Sequence, residues 1–212
     1  NKVTKGKKSF SIMSYTIDTK SVDVIYTSER RISTPILLNS SIYILEDDKP
    51  ININLADNLT SENFPQPFLF ASNDKLIKVS NKIDTLSIPN NEKAISVKYS
   101  KDGENIFVLT SSIGVLVYDK MANPINNLTS SGFVRKLYKS NLLLFTEQED
   151  KDDKIASSKL YIGFLNSDKK FEILQNEKSP KFYPDWSPTE NKIVYVTEDD
   201  SIKLVSFNIE KN

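Results

Sequence analysis

Short apolar stretches recur along the whole chain, each bounded by Asn, Asp, Ser, Gly or Pro, and each alternating with a period of two rather than 3.6. Val22, Val24 and Tyr26 alternate against Asp23 and Ile25, and Ile51-Asn52-Ile53-Asn54-Leu55 alternates strictly. Apolar positions nowhere recur at i, i+3, i+4 and i+7 over a dozen residues, so the pattern predicts strands throughout and almost no helix. Ser9 to Asp18 and Val22 to Thr27 read as a hairpin. Groups of three or four strands then begin near residues 35, 67, 96, 134 and 183. Phe64-Pro65-Gln66-Pro67 separates two groups, because two prolines remove ladder donors.

The spacing of group starts, about 30 to 50 residues, is that of propeller blades. The predicted fold is all-β: a five-bladed β-propeller with blades of three to four antiparallel strands. The last group, Phe182 to Trp186, Ile193 to Thr197 and Ile202 to Phe207, lacks a fourth strand. Val22 to Thr27 is the candidate to supply it and close the ring, with Ser9 to Asp18 competing for the same place. Residues 1–8 read as a flexible leader and residues 9–212 as a single propeller domain. A fragment of a longer propeller is the alternative.

Two copies of one hairpin pattern stand out. Pro184-Asp185-Trp186-Ser187-Pro188 precedes the strand at Ile193, and Tyr99-Ser100-Lys101-Asp102-Gly103 precedes the strand at Ile106. These residues resemble the TolB-type, WD-like propeller repeat, whose blades carry Pro-Asp-Trp-Ser-Pro-Asp-Gly before Lys-x-Ile-x-Phe. The C-terminal copy departs from it at Thr189-Glu190-Asn191, and the upstream copy has Tyr99 for Trp and Lys101 for Pro. The resemblance implies a propeller fold and work in the cell envelope, with the chain periplasmic or lipid-anchored after loss of a signal. Physically, an aromatic at a strand end can wedge between blades, while Ser and the turn satisfy local backbone donors. Trp186 is therefore expected in the core. Asp185 is expected to bond local backbone, with a functional carboxylate near the channel as the other reading.

Composition removes several kinds of chemistry. There is no His and no Cys, which excludes thiol nucleophiles, disulfides and the usual zinc ligand sets. Twenty-eight basic and twenty-eight acidic residues cancel, so no global field favours nucleic acid. No apolar run approaches the roughly 18 residues of a membrane span. Five glycines support no dinucleotide or phosphate-binding loop. Asp150-Lys151-Asp152-Asp153 lacks the Gly and Glu of a calcium loop, and no metal or cofactor is assigned. Asn39-Ser40-Ser41, Asn58-Leu59-Thr60 and Asn127-Leu128-Thr129 fit the glycosylation sequon at the rate an Asn- and Ser-rich chain produces.

The leading expectation is a non-catalytic, monomeric scaffold for other proteins, with envelope proteins as partners. The charged loop Glu147 to Lys154, carrying Glu147, Glu149, Asp150, Asp152 and Asp153, is the candidate partner contact. The alternative is a carbohydrate-binding or glycoside-processing propeller with paired carboxylates at the channel. In that case Tyr15, Tyr43, Tyr118, Tyr161 and Phe164 are candidate stacking residues, against a packing role between blades.

Overall fold

The structure, a computed structural model, describes residues 8–130, 134–137, 140–152, 154–175, 177, 179–187 and 189–208. It forms strands and tight turns with no α-helix among the described residues. The chain divides into two compact units, residues 1–89 and 90–212.

In the first unit, β1 (Phe10–Thr16) and β2 (Ser21–Ser28) pair as an antiparallel hairpin with a bulge between Ile12 and Met13. A four-stranded sheet follows, with β3 (Ile36–Leu38), β4 (Ser41–Glu46), β5 (Lys49–Asn54) and β6 (Thr60–Ser61) in chain order. The third sheet comprises β7 (Phe68–Ser72), β8 (Lys75–Val79) and β9 (Ile83–Leu86). The hairpin turns are two-residue and left-handed: Asn39-Ser40, Asp47-Asp48 and Asn73-Asp74 all have φ between 45° and 65°. Asn and Asp tolerate that region best among residues with a side chain, so these pairs fix strand register. The acidic pair Asp47-Asp48 thus has a turn role. Ile12, Ile42, Ile44 and Ile53 form one core cluster, and Tyr43 stacks on Phe68 with ring centroids 4.2 Å apart. Phe64, in the Pro-rich connection, packs edge-on against Phe68.

In the second unit, β10 (Ala94–Tyr99), β11 (Asn105–Thr110), β12 (Val115–Asp119) and β13 (Pro124–Leu128) form one sheet. The next contains β14 (Val134–Lys136), β15 (Leu142–Lys151), β16 (Lys154–Phe164) and β17 (Ser167–Ile173). The last has β18 (Lys181–Trp186), β19 (Lys192–Thr197) and β20 (Ile202–Ser206). Phe107, Val117, Val134, Leu143, Phe145 and Tyr161 belong to the core layer between the first two of these sheets.

The sheets start at residues 36, 68, 94, 134 and 181, within a few residues of the predicted groups. The hairpin at the start is also as predicted. Closure of the last sheet by an N-terminal strand is not seen: β2 pairs with β1, and β20 pairs with β19 alone among the described residues. Open edges are tolerated when the strand is short, and β20 is five residues long. The predicted leader lies outside the described residues except for Lys8.

β13 was not expected. Pro124 opens it, where a missing N–H costs no ladder bond, and the Asn126 amide ties it to the Leu165 carbonyl at 2.9 Å. Opposite it, Gly114 has φ +99°, and a Cβ there would lie 2.1 Å from the Leu128 carbonyl oxygen. Gly114→Ala is expected to destabilise by about 1–3 kcal/mol, read from urea unfolding, through overpacking against backbone.

Candidate functional site

The upstream repeat hairpin is a closed polar turn. Ser100 Oγ donates to Asp102 Oδ1 at 2.6 Å and accepts from the Asn105 N–H at 3.0 Å. The Glu104 N–H donates to Asp102 Oδ1, and the Gly103 N–H donates to the Ser100 carbonyl. Gly103 has φ +70°, a conformation glycine adopts at no steric cost. Asp102 Oδ2 accepts from Lys136 Nζ, on β14 of the neighbouring sheet, at 2.8 Å, with only 7% and 8% of the two side chains exposed. Burial disfavours the Asp102 charge, but the hydrogen bonds from Lys136 and Ser100 outweigh it and hold the carboxyl at about 2.

The C-terminal copy uses its aromatic instead. Trp186 is buried at the end of β18, and its indole N–H donates to the Arg135 carbonyl on β14 at 3.3 Å. Its ring meets Phe207 edge-on at 5.5 Å and packs in a cluster with Leu144, Leu160, Ile162 and Ile193. Asp185 accepts from the Trp186 N–H, and Ser187 Oγ accepts from the N–H groups of Thr189 and Glu190. Pro184 is buried and Tyr99 half-buried. Pro188 lies outside the described residues. Both motifs therefore tie a sheet to its neighbour.

The expected acidic loop is mostly strand. Among the described residues, pairing of β14 with β15 ends at Phe145 and pairing of β16 with β17 ends at Leu160. The pairs from Glu147↔Lys159 to Lys151↔Lys154 continue beyond the sheet as a two-stranded ribbon. Its first strand, Glu147 to Lys151, is polar on both faces, so the sequence shows no alternation there. Glu147 points into a network: Lys170 and Thr129 donate to it, and the Lys170 ammonium lies 4.6 Å from the Tyr161 ring centre. Burial opposes the Glu147 charge, but the Lys170 and Thr129 bonds win and lower its pKa, while burial and Glu147 push Tyr161 up to about 12. Glu149 accepts from Ser157, Asp150 is exposed, and Asp152 forms the exposed turn with φ +53°. Asp153 lies outside the described residues. Lys181 clamps the ribbon base: its Nζ donates to the carbonyls of Ser158, Glu177 and Ser179, and its backbone N–H donates to Ser158 Oγ. Burial lowers the Lys181 pKa, with Glu177 and Glu172 opposing.

Beside the ribbon, the core layer opens into a cleft of about 340 Å³. Phe107, Leu109, Val115 and Val134 form its apolar side, and Gln148 and Ile155 of the ribbon border it. Lys98, Ser96 and the aromatic pair Phe182-Tyr183 complete the lining. Burial and the nearby Arg135 guanidinium hold Lys98 down at about 8. Tyr183 sits in a bulge of β18 with φ +50° and is 63% exposed. A bulky residue in the left-handed region is an outlier whose strain persists only where surrounding structure imposes it. The sequence reading missed this cleft, although Tyr183-Pro184 inside a strand was a legible bulge signal. A second cleft of about 240 Å³ lies along Leu128, Phe145, Gly163 and Lys170. Among the described residues lining the two clefts there is no carboxylate. Among the described residues no group of three or more Asp or Glu side chains is placed to hold a metal ion. Of the candidate stacking residues, Tyr43, Tyr118 and Tyr161 are buried, whereas Tyr15 and Phe164 are exposed.

No family model and no curated protein matches the sequence. Solved structures do. The chain is similar to one in a crystal structure of a mitotic checkpoint complex, with 12% identity and a TM-score of 0.66 over 93% of this chain and 70% of that one. It is similar to the tricorn protease at 12% identity and a TM-score of 0.54, covering 88% of this chain and 22% of that one. A putative TolB from Agrobacterium tumefaciens aligns at 11% identity and a TM-score of 0.48, over 92% of this chain and 83% of its own. The fold class is that of β-propeller repeats. Successive small antiparallel sheets in strict chain order are the blade organisation of that class. No helix among the described residues is long and apolar enough to cross a membrane.

Proposed function

We propose that the chain is a non-catalytic, five-bladed propeller of TolB type, a single domain over residues 9–212, that serves as a docking platform for other proteins in the cell envelope. The observation that carries this is the ribbon continuing beyond its sheet beside an open apolar cleft. Ribbons and clefts of this kind offer both a charged rim and a desolvated centre to a partner. Five sheets of three or four strands, plus one hairpin, fit five blades with an added N-terminal element. The carbohydrate reading would need two placed carboxylates, and no described residue lining these two clefts supplies one.

The test uses the protein that immobilised chain retains from extracts of the source cells. Replacing Glu149, Asp150, Asp152 and Asp153 by Ser is expected to slow its association and flatten the salt dependence. Unchanged rates would remove the ribbon from the interface. Glu147 is left intact, because its bonds to Lys170 and Thr129 are structural.

A further inference from the structure

We propose that the cleft bordered by Lys98, Gln148, Ile155, Phe182 and Tyr183 binds an extended peptide segment in which a large apolar side chain stands next to an Asp or Glu. This deepens the docking reading above and rests on it. The apolar side chain enters between Leu109, Val115 and Val134, where the core layer of the two sheets lies open. The volume, about 340 Å³, lies at the small end of ligand sites and suits one anchor residue and its neighbours. The carboxylate meets Lys98, whose ammonium stands within the field of Arg135, and no acid in the lining repels it. Charge complementarity thus sets the sign of the occupant. Tyr183 closes the rim. Its bulge and positive φ turn an aromatic ring outward from a strand that otherwise packs inward, and aromatic rims are common anchors at protein interfaces. Along the ribbon Glu149, Asp150 and Asp152 alternate with Lys151, Lys154 and Lys159, so the sign of the occupant is set in the cleft rather than along the ribbon.

The experiment pans a phage-displayed random-peptide library on the full chain and measures the enriched peptides by fluorescence anisotropy. Variants are Lys98→Met, which keeps the aliphatic stem, and Tyr183→Asn, which tolerates the left-handed backbone and leaves the fold intact. Expected are sequences with Asp or Glu beside Leu, Ile or Phe, binding at least roughly tenfold more weakly to each variant. Replacing the peptide acid by its amide is expected to weaken binding to the wild-type chain and to leave the Lys98→Met affinity unchanged. Enriched peptides that are basic or uncharged yet depend on Tyr183 would overturn the acidic specificity while leaving the docking reading in place. Enrichment indifferent to both variants would overturn the two together.

Discussion

Trp186→Ala is expected to lower the unfolding free energy by about 3–5 kcal/mol, the range for truncating a large buried aromatic. Three contributions are lost together. The ring leaves a cavity among Leu144, Leu160, Ile162 and Ile193, the edge-on contact with Phe207 disappears, and the Arg135 carbonyl loses its indole donor. Because the cluster joins β15 and β16 to β18 and β19, the loss is felt between sheets rather than within one. Urea unfolding gives the magnitude. Trp186→Phe is expected to retain more than half of the lost stability, since it keeps a six-membered aromatic ring in the cluster and loses the fused five-membered ring with its N–H. At concentrations of denaturant where the variant remains folded, peptide and partner binding are expected to persist. A fully stable variant that loses binding would assign the tryptophan a direct contact.

Lys136→Ala is expected to cost a comparable amount, about 3–5 kcal/mol, because it strands a buried carboxylate rather than merely deleting an ion pair. The effect depends on pH in a defined direction. Asp102 is held at about 2 in the fold against 3.8 ordinarily, so its contribution, about 2 kcal/mol, is complete above pH 4. It is lost as pH falls from about 4 to about 2. In Lys136→Ala the lowering partner is gone and burial raises the carboxyl instead, so the variant's deficit shrinks as the solution is acidified. Asp102→Asn combined with Lys136→Met is expected to recover much of the lost stability, since both charges leave together. Urea midpoints of the wild type, Lys136→Ala and the double variant between pH 2 and pH 7 check this. A deficit independent of pH would mean that Lys136 acts through packing alone.

Most of the strand order was legible because Ile, Val, Leu and Phe alternate where a strand has one face in a core. Ile51 to Leu55 and Ile193 to Thr197 are of that kind, whereas in Val22 to Thr27 the alternating Val22 and Val24 are exposed and Ile25 and Tyr26 pack on the core. The sequence misled where strands carry no such asymmetry. Glu147 to Lys151 reads as loop because both faces are polar, yet hairpin pairing alone extends β15 and β16. Pro124 to Leu128 reads as turn and sequon because its residues are poor strand formers, but as the outer strand of its sheet β13 needs bonds on one side only. Closure by Val22 to Thr27 was inferred from a missing strand, a count that says nothing of pairing energy. The repeat motifs were read as architecture, and the structure buries Trp186 and bonds Ser100 within its turn, whereas the Asp102–Lys136 pair was invisible, since nothing local announces a partner 34 residues away. The cleft was invisible for the same reason, being assembled from seven strands.

The turns that hold neighbouring sheets together and the proposed binding cleft are separate parts of the same sheets. Amide hydrogen exchange of the full chain, with and without the retained partner protein, tests that separation. Slowed exchange is predicted at residues 96–98, 148–155 and 181–183, with the turns at 100–105 and 187–191 unchanged. Protection confined to those turns, with the ribbon and cleft unaffected, would contradict it.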